Sequence, residues 1–233
     1  MTTYEEVIDP DARSGRWDNG ELTWEFPAES VLSQVFWTPE DASGNGDFSQ
    51  ETNWEPEMVP TNTVVTFFDR DGAATVSFSG TQESARTVIE RGEVTFSDGH
   101  HNVVADDAQP GVVVGNATMD SATLILSSHL LTSASGAIGY GVDTIGNVNV
   151  SGSGTEWLMS GPLTVGDEGS GTLILDQEGR ITCSEFILGK TAASSAIVQM
   201  SEGSSLETGM LSVGVAAETS IVIDESSLTS GLG

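Results

Sequence analysis

The sequence predicts an all-β chain coiled into a β-solenoid, and three observations carry that prediction. Helical periodicity is nearly absent along the chain. An apolar stretch ending in glycine returns at near-constant spacing, and two further apolar stretches follow each return in the same order. The returns are Val112-Val113-Val114-Gly115, Ile138-Gly139-Tyr140-Gly141, Leu163-Thr164-Val165-Gly166, Ile187-Leu188-Gly189 and Leu211-Ser212-Val213-Gly214. Their final glycines are 26, 25, 23 and 25 residues apart. The second stretches are 123–126, 147–150, 172–175, 196–200 and 220–223. The third, weaker element is Leu130-Leu131, Trp157-Leu158, Ile181, Leu206 and Leu228. Three short strands in about 24 residues make one rung. A rung alone exposes an apolar inner face and unpaired backbone on both edges, and stacking another rung about 4.8 Å away satisfies both. An antiparallel sandwich also turns every 8–12 residues or so, but it does not require one fixed order of strands per repeat.

In chain order, residues 1–35 differ in character from the rest. Arg16-Trp17, then Asp18-Asn19-Gly20, then Glu21 to Phe26 read as a hairpin closed by an Asn-Gly turn. Trp17, Trp24 and Phe26 are the candidate anchor to another protein, or they pack against the next segment. Residues 36–62 are rich in turn formers bracketed by Trp37 and Trp54, which predicts an aromatic-clamped entry loop acting as a cap. Residues 63–233 are the solenoid, beginning with strands at 63–68, 74–78, 86–89, 93–96 and 102–104. Gly115, Gly141, Gly166, Gly189 and Gly214 are the expected corner residues, where turns need a positive φ or close backbone approach. Val165, Leu173, Leu175, Ile181, Ile221, Ile223 and Trp157 are the expected core.

Charge narrows the function classes. Thirty-five acidic side chains face 7 basic ones, for a net charge of −28, and Lys190 is the only lysine. Such a chain repels phosphate backbones and anionic membranes, so no nucleic-acid partner and no membrane insertion are expected. No stretch approaches the roughly 18 apolar residues of a membrane helix. Residues 1–15 lack the basic and apolar regions of a secretory signal, so the chain, taken as complete, is expected to be made in the cytosol. Cys183 is the only cysteine, which excludes an intrachain disulfide and points its thiol into the core.

Gly152-Ser153-Gly154-Thr155-Glu156-Trp157, then Pro162 to Gly166, then Gly169-Ser170-Gly171-Thr172-Leu173-Ile174 resemble the repeat of autotransporter (type V secretion) passengers and PEP-CTERM-associated bacterial surface proteins. Thr155 stands where that family usually has Ser. Trp37, Gly46, Asn53-Trp54 and Pro60 are similar to the entry segment of such passengers. The resemblance covers about residues 36–233 and implies a right-handed parallel β-helix on the outside of a cell or particle. The family's export signal and terminal membrane barrel or sorting segment have no counterpart in these residues. Either these residues are an excised piece or the fold has been reused, and reuse fits a phage tail fibre, a tailspike-like protein or a capsid decoration protein, which fold without signal peptides.

Catalytic chemistry is sparse. Polysaccharide-cleaving solenoids need two or three convergent carboxylates, and here the acids fall mainly at turns, while Arg180 and Lys190 are the only bases after residue 110. Asp176 and Asp224 share a repeat position and form one candidate cation edge. Asp69-Arg70-Asp71-Gly72 resembles the start of a calcium loop without its later ligands. His100-His101 is expected in an exposed turn, since strand neighbours point to opposite faces, and His129 is isolated. The expectation is therefore a non-enzymatic structural or adhesive protein of an extracellular, cell or virion surface, without cofactor except Ca2+ as the one candidate. The alternative is a carbohydrate-binding or polysaccharide-degrading tailspike-like protein. Expected partners are other proteins or further copies, through the N-terminal segment and an open C-terminal rung, and a surface glycan.

Overall fold

The computed structural model describes residues 33–104, 109–215 and 218–231, together with the backbone of two earlier strands. Those two, Gly15–Asp18 and Glu21–Trp24, pair antiparallel with Trp17 opposite Leu22, which is the hairpin expected from the Asn-Gly turn. Phe26 and the side chains of Trp17 and Trp24 lie outside the described residues. Residues 1–32 and 33–233 form separate compact units. The second unit therefore begins three residues earlier than the composition change suggested, because Ser33–Trp37 already pairs in parallel with 64–67.

The second unit is a parallel β-solenoid with three ladders. In the first ladder, 64–68, 86–89, Val112–Val114, Gly136–Ile138, Pro162–Val165, 185–188 and 210–213 stack in register. The second ladder runs through 73–77, 93–97, Ser121–Ser127, Ile145–Ser151, Ser170–Asp176, Ser195–Met200 and Glu218–Ile223. The third takes Thr81–Ser84, His100–Val103, Leu130–Ser133, Glu156–Met159, 180–183, 205–208 and Ser227–Ser230. Strand alternation puts every second residue inside. Phe68, Ile89, Val114, Ile138, Val165 and Leu188 form one such inward row, all fully buried. Leu173, Leu175, Ile181 and Trp157 are buried as expected, and so is Cys183, whose thiol pKa is pushed up by burial.

Register corrects the glycine alignment. Val114, Ile138, Val165, Leu188 and Val213 stack, so the corner position after them holds Gly115, Gly139, Gly166, Gly189 and Gly214. Gly139, not Gly141, is the repeat glycine, and the true spacings are 24, 27, 23 and 25 residues. The apolar-run rule failed because Ile138 is followed at once by glycine and the run was extended through Tyr140. Gly139 has φ +67°, and a Cβ there would lie 2.4 Å from the Ser170 carbonyl oxygen, so the corner turns tightly against the next rung. Gly214 takes no positive φ; a Cβ there would sit 2.0 Å from the Gly189 carbonyl oxygen, so close approach alone excludes a side chain.

The entry loop is a cap. Trp37, Phe48, Trp54 and Phe68 are buried together, with Trp37 and Phe48 meeting Trp54 edge-on at 4.9 and 5.0 Å. The indole N–H of Trp37 donates to the Gly44 carbonyl at 3.0 Å and that of Trp54 to the Phe48 carbonyl at 2.9 Å. Asn53 donates to the Asp47 carbonyl at 2.9 Å, and a Cβ on Gly46 would fall 2.5 Å from that amide nitrogen. Trp54 and Glu55 pair antiparallel with Trp37 and Phe36, so the C-terminal end of the strand 33–37 gains a neighbour on the edge away from 64–67.

The other end differs. Leu211, Val213, Ile221, Ile223 and Leu228 occupy inward positions of the last described rung, in register with buried Phe186, Leu188, Val198, Met200 and Leu206. Ile223 is nevertheless 45% exposed and Val213 61%, while Ile221 and Leu228 are half-buried. The expectation that Ile221 and Ile223 are core is corrected on that account: their positions are inward, but among the described residues no further rung lies on them.

Candidate functional site on the first ladder

Outward positions of the first ladder form an unusual row. Phe36, Phe67, Val88, Val113, Ala137, Thr164 and Ile187 are in register, one per rung. Outward positions elsewhere are mostly polar: the third ladder carries Glu83, Asn102, Thr132, Leu158, Thr182 and Glu207 at the matching place. Phe36 and Phe67 stack at 5.2 Å, whereas Val113, Ala137 and Thr164 are largely covered by what flanks them.

Two residues after each inward row member comes a corner side chain, and these too stack: Asn116, Tyr140, Asp167 and Lys190. Gly139 and Gly166 make this possible by turning the chain at φ +67° and +72° so that the following residues project beside the outward row. Asp167 and Lys190 stand one rung apart, and the ammonium lies 2.9 Å from one carboxylate oxygen and 3.2 Å from the other. Asp167 is buried and the Lys190 side chain is 57% exposed. The ion pair thus has its anion in the wall and its cation toward water.

Between this corner row and Pro110 and Pro162 on the opposite side runs an open groove of about 330 Å³ floored by Thr164 and Ile187. Its chemistry is amphipathic. A Tyr ring, two prolines and an isoleucine offer apolar contact, and the Asp167–Lys190 pair with Thr164 and Gln109 supplies donors and acceptors. Asp167 is the one carboxylate among its described lining residues, so the two-carboxylate arrangement of glycoside cleavage is not assembled there. Sequence reading missed the groove because aligning on Gly141 put Tyr140 out of register with Asp167 and Lys190.

Other candidates resolve differently. Asp176 and Asp224 do share a register position, but Ser201 occupies it in the rung between them, which puts the two carboxylates about 10 Å apart by strand spacing and beyond one ion's reach. Asp143, Glu178, Glu202 and Glu225 sit at turns with φ of 48–66°. Asp69 and Asp71 pair with Arg91 at the corner between ladders, where the strand register shifts. No group of three or more His, Cys, Asp or Glu among the described residues is placed to hold a metal, and none of their helices is long and apolar enough to cross a membrane.

The histidines overturn two expectations. His100-His101 lies in the strand His100–Val103, not in an exposed turn; His100 faces outward and His101 is fully buried. His129 is also fully buried, and it packs on Phe78 and Phe96, the same rings that His101 meets. No family model, curated protein or solved structure matches this chain.

Proposed function

We propose that this chain is a non-enzymatic structural or adhesive β-solenoid that builds or decorates an extracellular or virion surface. The observation that carries this reading is the unbroken stacking of three ladders around a side-chain-filled core, with the described acids of the repeat, apart from Asp167, dispersed over its corners. Stacked rungs of this kind present continuous lateral faces, suited to offering a surface to partners. Protein partners or further copies at the N-terminal hairpin and the last rung belong to the same reading. Immunogold labelling of intact cells and particles tests it: label on an outer surface or on virions supports it, and label confined to the cytosol overturns it. Incubation with bacterial and algal polysaccharides followed by a reducing-end assay tests the absence of catalysis, and specific chain cleavage sinks that part.

The groove favours a second reading, in which this face binds a neutral saccharide. Pyranose C–H faces suit Tyr140 and the prolines, hydroxyl groups suit Asp167 and Lys190, and a net charge of −28 disfavours an anionic glycan. A glycan array read with the wild type and Tyr140→Ala separates the readings: loss of a neutral-glycan signal in the variant supports binding, and no signal with either protein overturns it.

A further inference from the structure

A directional chain of hydrogen bonds runs through the core beneath the cap. Thr66 Oγ1 donates to the Arg86 carbonyl at 3.2 Å, which leaves it to accept from Thr87 Oγ1 at 3.1 Å. Thr87 then accepts from Ser84 Oγ at 3.0 Å, and Ser84 accepts from His101 Nε2–H at 3.0 Å. The relay thereby fixes the His101 tautomer: Nε2 carries the hydrogen and Nδ1 is a bare lone pair. His129 is fixed the same way from the other side, because Nδ1–H donates to the Asp98 carbonyl and leaves Nε2 bare. Both bare nitrogens, His101 Nδ1 and His129 Nε2, are buried without a partner.

Their surroundings are aromatic. His101 lies 4.9 Å from the Phe48 ring of the cap and 5.1 Å from Phe78, and His129 lies 4.6 Å from Phe78. Two buried proton acceptors with no donor between them therefore lie under the cap, His101 against it through Phe48 and His129 behind the Phe78 and Phe96 rings that both histidines share. Such nitrogens cost little while neutral, but a proton taken there puts charge into the core.

We propose that His101 and His129 form a proton-operated lock that holds the aromatic cap on the first rungs at neutral pH and releases it in acid. Release follows because the opened cap lets the imidazoles reach water and carry the charge that the closed joint excludes. Burial holds both imidazoles below the ordinary histidine value, His101 well below it and His129 at about 4. His129 and His100 push His101 further down, and for His129 the Asp98 carbonyl and carboxylate oppose burial while His100 adds to it. In the cap, burial raises Asp47, but hydrogen bonds from Ser49, Ser79 and Ser77 outweigh it and hold the carboxyl below its usual 3.8. Hydrogen bonds from Ser43 hold Asp41 below the same value. The two cap carboxylates therefore lose stability only below pH 3.8, under the histidine window.

The sign follows from the lowered folded values. The open state binds protons from about pH 6.5 downward and the closed state does not, so closure is complete above pH 6.5 and weakens as pH falls toward 4. Where opening frees His129 as well, that residue alone raises the opening equilibrium about 30-fold at pH 5 and about 160-fold at pH 4. Hydrogen–deuterium exchange of the full chain, corrected for intrinsic rates, reads this. Residues 33–55 are expected to lose protection by that factor between pH 7 and pH 5 while 156–208 do not change. In His101→Gln/His129→Gln the response between pH 7 and pH 4.5 flattens. Protection in 33–55 that is independent of pH over this range, or that responds equally in the double variant, overturns the lock. If the variant does not fold, NMR titration of the wild-type imidazoles decides: two rings titrating near pH 6.5 with the cap still protected overturn the proposal, and rings that stay neutral until the cap opens support it.

Discussion

Trp157 and Gly136 provide the sharpest test of how the core is filled. The two face inward in one rung, Trp157 from the third ladder and Gly136 from the first, where neighbouring rungs carry Val112 and Leu163. A Cβ on Gly136 would lie 2.5 Å from Trp157 Cζ2, 2.8 Å from Cη2 and 3.1 Å from Leu163 Cδ1. Gly136 does not take a positive φ, so its glycine is required by the indole and not by the backbone. Gly136→Ala should cost about 1–3 kcal/mol by overpacking. Trp157→Ala should cost about 3–5 kcal/mol, since the ring is fully buried and its N–H donates to Ser133 Oγ at 3.0 Å. At roughly 2–4 °C per kcal/mol for a chain of this size, the tryptophan variant melts about 10 °C lower. In the double variant the new methyl enters space that the indole has vacated, so the combined loss should fall short of the sum by about 1–2 kcal/mol. Circular dichroism melting and urea titration of all four proteins complete the cycle. Strict additivity would refute the claim that glycine and tryptophan are a matched pair.

Lys190→Ala strands the buried Asp167 carboxylate, so stability should drop by about 1–3 kcal/mol at pH 7, and Asp167→Asn in the same background should restore part of it; urea midpoints read both. In the last rung, Asp224 N–H donates to the Met200 carbonyl at 2.8 Å, and alternation along a parallel strand then aims the Val222 amide inward to its neighbour and the Ile221 and Ile223 amides at the open edge. Exchange of the 233-residue chain should be fast at Ile221 and Ile223 and slow at Val222; uniform protection would mean the edge is covered. With a net charge of −28, the melting temperature should rise steadily with NaCl as self-repulsion is screened. CaCl2 at matched ionic strength should add nothing further, and a calcium-specific rise would contradict the separation of Asp176 from Asp224.

Much of the architecture was legible because solenoid stacking is a one-dimensional code. Leu173, Leu175 and Ile181 are buried for the reason the repeat gave: each has an apolar equivalent one rung earlier and one rung later. The code weakens where a rung's length varies, and Gly139 shows how. An alignment on residue type chose Gly141, while hydrogen-bond register chose Gly139, and the two-residue slip hid the stacked Asn116, Tyr140, Asp167 and Lys190. The histidines were illegible for a different reason. His100-His101 follows Ser97-Asp98-Gly99, which reads as a turn, and nothing local to His129 signals that its ring reaches the same phenylalanines as His101. Two polar rings inside a core are affordable only with partners, and the steps from His101 to Ser84, Ser84 to Thr87 and Thr87 to Thr66 span 17, 3 and 21 positions, in no pattern that a repeat search detects.

The two ends of the solenoid are chemically unlike, and the difference constrains how such a body joins others. At the first rung the strand 33–37 already has a parallel partner in 64–67 and an antiparallel one in 54–55, with Trp37, Phe48 and Trp54 closing the core beneath them. Among the described residues, 54–55 covers the 36–37 part of that first-ladder edge. At the last described rung the inward residues Leu211, Val213 and Ile223 are partly open, and the edge amides point outward. A head-to-tail stack would require a closed edge to meet an open one, so it demands removal of the cap from the incoming copy. The segment that blocks this step is the one seated on His101 through Phe48. Acid that loosens residues 33–55 would therefore uncover the edge of 64–67, and pH-dependent assembly should appear only where residues 33–55 lose protection. Light scattering through the same pH range as the exchange measurement makes the comparison: growth in size without cap opening would separate assembly from the cap altogether.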